Sequence, residues 1–280
     1  MARASGSFAA LIRSRGVDWK TVVRARIGAA AAVVAFGLSY GCSFVLVGTV
    51  AVGMVAVGPV VGAAGIAAAD EPLNTPPEGF VALFNGRDLT GWKGLVGNPK
   101  TRPLMKTEEM AAAQKKADER MNAHWKVVDG TLVFDGKGDN LCTAKDYGNF
   151  ELWCDWKIEK GGDSGIYLRG SPQVQIWDTE HEPYFKLGAE KGSAGLWNNQ
   201  KNARMPIAKA DKKAGEWNRF WIRMVGDKVT IKLNGVLVVD DTVLENYWER
   251  DKPLYPRGSI ELQNHGNTLY FRNIYVKELP

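Results

Sequence analysis

The chain has 280 residues and a formal charge of +5, from 36 Lys and Arg against 31 Asp and Glu, but the whole excess lies in the first 26 residues. Beyond residue 69 the count is balanced at 30 basic and 30 acidic residues. A neutral remainder without a basic run lacks the electrostatic footprint of a nucleic-acid binder. Its length, about 210 residues, is enough to bury a full core and suits one β-sandwich or barrel.

No charged residue occurs from Ile27 to Ala69. Ahead of this stretch stand Arg3, Arg13, Arg15, Lys20, Arg24 and Arg26 against the single acid Asp18, the flank expected of a segment inserted from the cytoplasm. It ends in Ala67-Ala68-Ala69-Asp70, small residues suited to a signal peptidase. The stretch exceeds both an ordinary signal core of about 7 to 15 residues and a single span of about 20. Residues 1–69 are therefore expected to be either a cleaved signal peptide or a membrane anchor. In both cases the remainder is exported, to the periplasm or the exterior.

Residues 70–78 form a linker, with three prolines between Glu71 and Glu78 that forbid a helix. The domain then occupies residues 79–280. Gly79-Phe-Val-Ala-Leu-Phe84 reads as a strand closed by Asn85-Gly86. Residues 105–122 are rich in Ala, Glu, Gln, Lys and Met without Gly or Pro, and Thr107 ahead of Glu108 and Glu109 suits an N-cap. This predicts one helix. Thereafter short apolar runs alternate with period two. Asp129-Gly130 and Asn234-Gly235 separate pairs of such runs and demand the positive φ of tight hairpins. Further strands are predicted at 139–144, 149–159, 164–170, 172–178, 194–198, 216–226, 258–264 and 268–278. A dozen strands and one inserted helix predict an all-β fold of two packed antiparallel sheets, of the jelly-roll kind. Cys142 and Cys154 flank a turn at Asp146-Tyr-Gly148 and could form a disulfide after export or remain as two buried thiols. Trp153, Trp156, Trp217 and Trp221 are expected in the core.

Several catalytic solutions are excluded, since the chain has no Gly-x-Ser-x-Gly elbow, P-loop or His-Glu-x-x-His motif. It also lacks the clustered acids, Glu-x-Asp-x-x-Glu on one strand face, of retaining jelly-roll glucanases. What it has instead is three strands with chemically rich polar faces. Alternation sets Tyr167 and Arg169 opposite Ile166 and Leu168, sets Gln173, Gln175 and Trp177 opposite Val174 and Ile176, and sets Glu261, Gln263 and His265 opposite Ile260 and Leu262. Amides and a guanidinium bond vicinal hydroxyls while an aromatic face covers a sugar ring, so one concave sheet face is predicted to bind carbohydrate. Any single strand of this kind is ordinarily the solvated side of a sheet; three together favour a site. Asp178 could equally cap Thr179, and His265 could sit in a turn before Gly266-Asn267. Trp197, beside Asn198 and Asn199, is expected in a loop against the ligand. His124 and His181 have no ligand spacing, so histidines alone do not make a metal site.

The motifs Gly79 to Trp92, Asp163-Ser-Gly-Ile-Tyr-Leu-Arg169, Gln173-Val-Gln-Ile-Trp-Asp178, Gly215-Glu-Trp-Asn218, Leu233-Asn-Gly235, Ile260-Glu-Leu-Gln-Asn-His265 and Phe271-Arg-Asn-Ile274 resemble, in that order, the 3-keto-disaccharide hydrolase family. The resemblance covers about residues 78 to 279. It implies a concanavalin A-like jelly roll in an exported bacterial protein and cleavage of glycosides oxidised at carbon 3. Such a ketone acidifies the proton on carbon 2, so a base can remove it, the enolate can expel the aglycone and water can add; one base and an enolate stabiliser suffice. For that chemistry the base is expected to be His265 or Asp178, the enolate stabiliser Arg169 with an amide of Gln175 or Gln263, and the ring-positioning residue Trp197. Asp163, Gln173, Trp177 and Glu261 complete the expected binding face. No cofactor is required, although a divalent ion held by carboxylate and His could replace Arg169 as the electrophile. This chain departs from the family pattern by carrying Gln173 where many members have Glu and Asp163 where they have Asn, and Val96 to Asn122 reads as an insertion. The leading alternative is a non-catalytic, lectin-like carbohydrate-binding domain.

Overall fold

The computed structural model describes residues 72–280, so the expected targeting segment lies outside the described residues. Two antiparallel sheets account for the described part. The strands in chain order are β1 (Val81–Ala82), β2 (Trp92–Gly94), β3 (Trp125–Val128), β4 (Thr131–Phe134), β5 (Leu141–Thr143), β6 (Phe150–Ile158), β7 (Asp163–Leu168), β8 (Ser171–Trp177), β9 (Asn218–Val225), β10 (Lys228–Leu233), β11 (Val236–Val243), β12 (Glu261–Leu262) and β13 (Leu269–Glu278). One sheet runs β11-β10-β9-β6-β13-β4-β3, with β1 also on β13, and the other runs β2-β5-β12-β7-β8. Apolar side chains of both sheets, among them Phe134, Trp156, Phe220 and Ile231 from the first and Leu141, Ile166, Val174 and Leu262 from the second, form one buried cluster. The expected two-sheet, mostly β architecture with few helices is present.

Both hairpin signals mark turns: Asp129 and Gly130 have φ of 47° and 71°, Asn234 and Gly235 of 51° and 86°, the left-handed pair required to join right-twisted strands. The helix, α1 (Thr107–His124), begins at the expected cap, so the N-cap lies one residue earlier: Lys106 is the N-cap and no side chain caps it, and Glu108 and Glu109 in the first turn provide the charge that favours this end. The run 194–198 forms a single bridge, Leu196 to Val174, rather than a strand. Cys142 and Cys154 are both buried and free, on β5 and β6 of different sheets, so of the two alternatives the structure shows buried thiols rather than a disulfide. Of the four tryptophans, only Trp156 is fully buried. Trp153 and Trp221 face each other across β6 and β9 on the polar side of the first sheet, under Arg219 and Lys232. Trp217 lies beneath Arg272 at 4.1 Å.

The inserted segment holds the edge of the second sheet. An unpaired edge strand leaves backbone groups that must be satisfied or covered. Here Asp118 accepts the Gly94 N–H at 2.9 Å and the Gln114 side-chain amide donates to the Gly94 carbonyl at 2.9 Å. Upstream of the helix, Arg102 donates to Glu261 at 3.3 Å, so the insertion also lies over the middle of the sheet. Gly94 is required by this contact, since a Cβ there would stand 2.2 Å from the Ala117 carbonyl oxygen. Gly94→Ala must push α1 off the edge and is expected to cost about 1–3 kcal/mol, read as a lowered urea midpoint; an unchanged midpoint would show that the helix is not anchored here. Glu261, 1% exposed, has its carboxyl raised from 4.5 to about 6, by burial first and against the opposing pull of Arg102. The stability conferred by the neutral carboxyl is complete below 4.5 and is lost as pH rises through about 6, a change of about 2 kcal/mol. Unfolding measured at pH 4.5 and at about pH 7.5 is expected to show the wild type losing that amount relative to Glu261→Gln; parallel pH curves for the two proteins would refute it.

Candidate active site

The second sheet buries both of its faces at β8, where all seven residues are buried. Residues paired across strands lie on the same side of a sheet. The pairs Asp163 with Trp177, Gly165 with Gln175 and Glu261 with Tyr167 therefore share the side that faces away from the core residues Ile166, Val174, Ile176 and Leu262. On this side is a hollow of about 230 Å³. Its floor is Asp163, Tyr167, Gln173, Gln175, Gln263 and His265, and its walls are Pro172, Trp197, Asn198, Tyr247 and Trp248. Gly165 makes the floor possible, because a Cβ there would meet Gln173 Cγ at 2.8 Å; without one, the Gln173 side chain lies across the strand.

A directed chain of polar contacts runs along the floor. Gln173 Nε2 donates to Gln175 Oε1. Gln175 Nε2 donates to Asp163 Oδ1 at 2.7 Å, and also reaches the carbonyls of Ser164 and Ile176 at 3.2 Å. The other carboxylate oxygen, Asp163 Oδ2, stands 3.3 Å from His265 Nδ1. The Asp163 carboxyl side chain is 13% exposed, whereas His265 is 55% exposed. Burial pushes the Asp163 carboxyl up, partly offset by His265, the Gln175 amide and the Ser164 N–H. Beside this chain, Gln263 Nε2 donates to the Tyr167 hydroxyl at 3.3 Å, while Gln263 Oε1 is buried without a partner. His265 does lie in a turn, with Gly266 at φ +80°. That turn is tied to the sheet by Asn267, whose side-chain amide donates to the Asp163 carbonyl at 3.1 Å, so the imidazole is brought to the hollow.

Six of the ten residues expected at the site line this hollow: Asp163, Gln173, Gln175, Trp197, Gln263 and His265. Four do not. Arg169 and Gly170 have φ of 54° and 72° and form the two-residue turn between Leu168 and Ser171, so alternation ends at Leu168. Arg169 then leaves the sheet face for a separate depression beside Gly148 and Asn149. There it donates to the carbonyls of Gly148 at 2.8 Å and Tyr255 at 3.3 Å and to Asn149 Oδ1 at 3.2 Å. Asp178 is 4% exposed and builds a turn, accepting the Gly161 N–H at 2.8 Å and the Glu180 N–H at 3.0 Å; the capped group is Glu180 rather than Thr179. Trp177 is 3% exposed, donates to the Gly192 carbonyl at 2.9 Å and packs edge-on against Trp197 with ring centres 5.2 Å apart, so it props the wall from behind. Glu261 lies under Arg102 and Ser259.

Tyr167, Tyr247 and Trp248 reach the hollow without having been singled out. Alternation had already set Tyr167 on the polar side. Tyr247 and Trp248 sit in the loop after β11, held by Ser171 Oγ and by the Gly170 carbonyl, and no periodic signal marks such a loop. Among the described residues no group of three or more His, Cys, Asp and Glu side chains is placed to hold a metal ion. The hollow offers one carboxylate and one imidazole engaged with each other, short of the donor set a divalent ion takes, so a divalent ion in place of Arg169 as the electrophile does not fit these residues.

Residues 79–277 match the model of a family described as the 3-keto-alpha-glucoside-1,2-lyase-like domain. A 3-keto-disaccharide hydrolase of Bacteroides thetaiotaomicron is 25% identical over 270 residues, covering 76% of this chain and 83% of that protein. Two crystal structures of candidate glycosyl hydrolases from Parabacteroides distasonis share the architecture. One superposes with a TM-score of 0.53 at 24% identity, covering 74% of this chain and all of the other; the second has a TM-score of 0.51 at 26% identity and covers 72% and 85%. The match across the whole sandwich, with the six site residues inside it, means that this chain belongs to the 3-keto-alpha-glucoside-1,2-lyase-like family and carries a carbohydrate-active domain of the hydrolase type.

Proposed function

We propose that the domain, a jelly roll of the concanavalin A-like kind, cleaves glycosides whose sugar carries a ketone at carbon 3, by elimination of the aglycone followed by hydration. The observation that carries this reading is the pairing of Asp163 with His265 at 3.3 Å in a hollow otherwise lined by amides and aromatic rings. His265 is the base that takes the proton from carbon 2. Asp163 orients the imidazole through Nδ1, which leaves Nε2 to accept that proton, and stabilises the imidazolium that forms. Gln263 takes over from Arg169 as the donor to the enolate oxygen, because the Gln175 amide is committed to Asp163 and two backbone carbonyls. Trp197, backed by Trp177, and the Tyr247–Trp248 pair flank the sugar ring, whose C–H surface suits aromatic walls. The family description, a lyase acting between carbons 1 and 2, supports the elimination step.

The Arg-flanked uncharged stretch before Ala69 supports export of this domain. Within the described residues no helix is long and apolar enough to cross a membrane.

The purified protein is expected to release aglycone from a 3-keto glucoside and not from its unoxidised parent. His265→Ala should lower the rate by about 10²- to 10⁴-fold, and Asp178→Ala should leave the rate of the folded fraction nearly unchanged while lowering the melting temperature. Binding of either glycoside without release would sink the enzymatic reading in favour of the lectin-like one.

A further inference from the structure

We propose that Tyr167 is the acid of this reaction, its phenol handing a proton to the oxygen of the departing aglycone. The assignment rests on the functional reading above and adds to it the group that the Asp163–His265 pair lacks. An imidazole that has just taken the carbon 2 proton is not free to protonate the leaving group at carbon 1 in the same step, and an alkoxide expelled without a proton is a poor leaving group.

Three observations converge on Tyr167. Its side chain lies on the hollow side of the sheet, across from Glu261 in the pairing of β7 with β12, and it lines the same hollow as His265. Its oxygen is supplied with donors. Gln263 Nε2 donates to it at 3.3 Å. The Asn140 amide is oriented by the Asn264 N–H, which donates to Asn140 Oδ1 at 2.8 Å, and its NH₂ end favours the charged forms of both the Tyr167 phenol and the Glu261 carboxyl. An oxygen that accepts a hydrogen bond from Gln263 keeps its own O–H hydrogen for another partner, and the open space beside it is the hollow. The Gln263 amide, with the Asn140 NH₂ end nearby, would hold the phenolate once the proton has gone. Burial and the neighbouring Glu261 push the phenol up to about 12, which keeps it protonated at neutral pH.

The step balances without an outside reagent. His265 takes the proton from carbon 2 and the C–H pair enters the enolate of the carbon 3 ketone. The enolate collapses to a double bond between carbons 1 and 2, the C1–O bond breaks with its pair going to the aglycone oxygen, and that oxygen takes the Tyr167 proton. In the return step water adds to carbon 1 and gives a proton to the phenolate, and the imidazolium returns one to carbon 2. The net reaction is hydrolysis, and both groups end as they began.

The test is a leaving-group series: 3-keto glucosides carrying nitrophenyl, phenyl and alkyl aglycones, assayed with the full chain and with Tyr167→Phe. The wild type is expected to depend weakly on aglycone acidity. Tyr167→Phe should lose about 10²-fold or more on the alkyl glycoside and only a few-fold on the nitrophenyl one, because nitrophenolate leaves without help. An equal loss across the series would make Tyr167 a mere wall and overturn the assignment, as would a steep dependence already present in the wild type, a measurement that needs no variant to fold. A wild type inactive on every 3-keto glycoside would instead overturn the functional reading, and the assignment with it.

Discussion

Gln175 has both ends of its amide committed, and that commitment orients everything around it. Its NH₂ faces the Asp163 carboxylate and two backbone carbonyls; its oxygen faces the NH₂ of Gln173. At 2% exposure, it cannot leave a donor or an acceptor unmade without a penalty of about 1–3 kcal/mol. Its orientation therefore requires an acceptor at residue 163 and a donor at residue 173. The acceptor is the carboxylate that holds His265, so the position of an exposed imidazole is set by a buried amide one strand away.

The same constraint couples the residues at 163 and 173. A Glu at residue 173 and an Asn at residue 163 would place the acceptor and the donor at opposite ends, and the Gln175 amide would then have to be turned about. Gln173 with Asp163 is the mirrored solution: one negative charge, one central amide, reversed polarity. In this chain the carboxylate stands on the Asp163 side of Gln175; a Glu at 173 with an Asn at 163 would put the same single charge on the other side. On the Asp163 side the carboxylate stands beside His265, 3.3 Å from Nδ1, the arrangement on which the proposed base depends.

Alternation made most of this legible. With side chains of period two, the burial of Ile166, Leu168, Val174, Ile176 and Leu262 fixes Tyr167, Gln173, Gln175 and Glu261 on the other side, and this part of the reading held because it depends on strand geometry alone. It failed at Arg169 because the chain turns there: Arg169-Gly170 is a hairpin pair, with both residues at positive φ. Unlike Asp129-Gly130 or Asn234-Gly235, it does not begin with a residue that favours the left-handed region. Asp178 failed for a related reason, since a carboxylate at a strand end finds backbone N–H groups closer than any ligand. The Tyr247–Trp248 wall comes from an irregular loop whose course is set by single contacts to Ser171 and Gly170; no pattern in the residues themselves encodes that.

The distribution of carboxylates bears on the chemistry. A conventional glycosidase needs two of them about 5 to 9.5 Å apart across the scissile bond. Three acids were candidates on this part of the sheet, and the fold removes two: Asp178 has both oxygens in a turn, and Glu261 lies between Arg102 and Ser259 at 1% exposure. Asp163 alone borders the hollow, and it is already engaged by Gln175 and His265. One oriented imidazole, with amides and a phenol around it, cannot stabilise an oxocarbenium ion from both faces of a sugar, but it can draw off an acidified proton. In the proposed reaction the activating ketone would do the work of the missing second carboxylate, so the proposed preference for an oxidised sugar is consistent with which acids the fold leaves exposed.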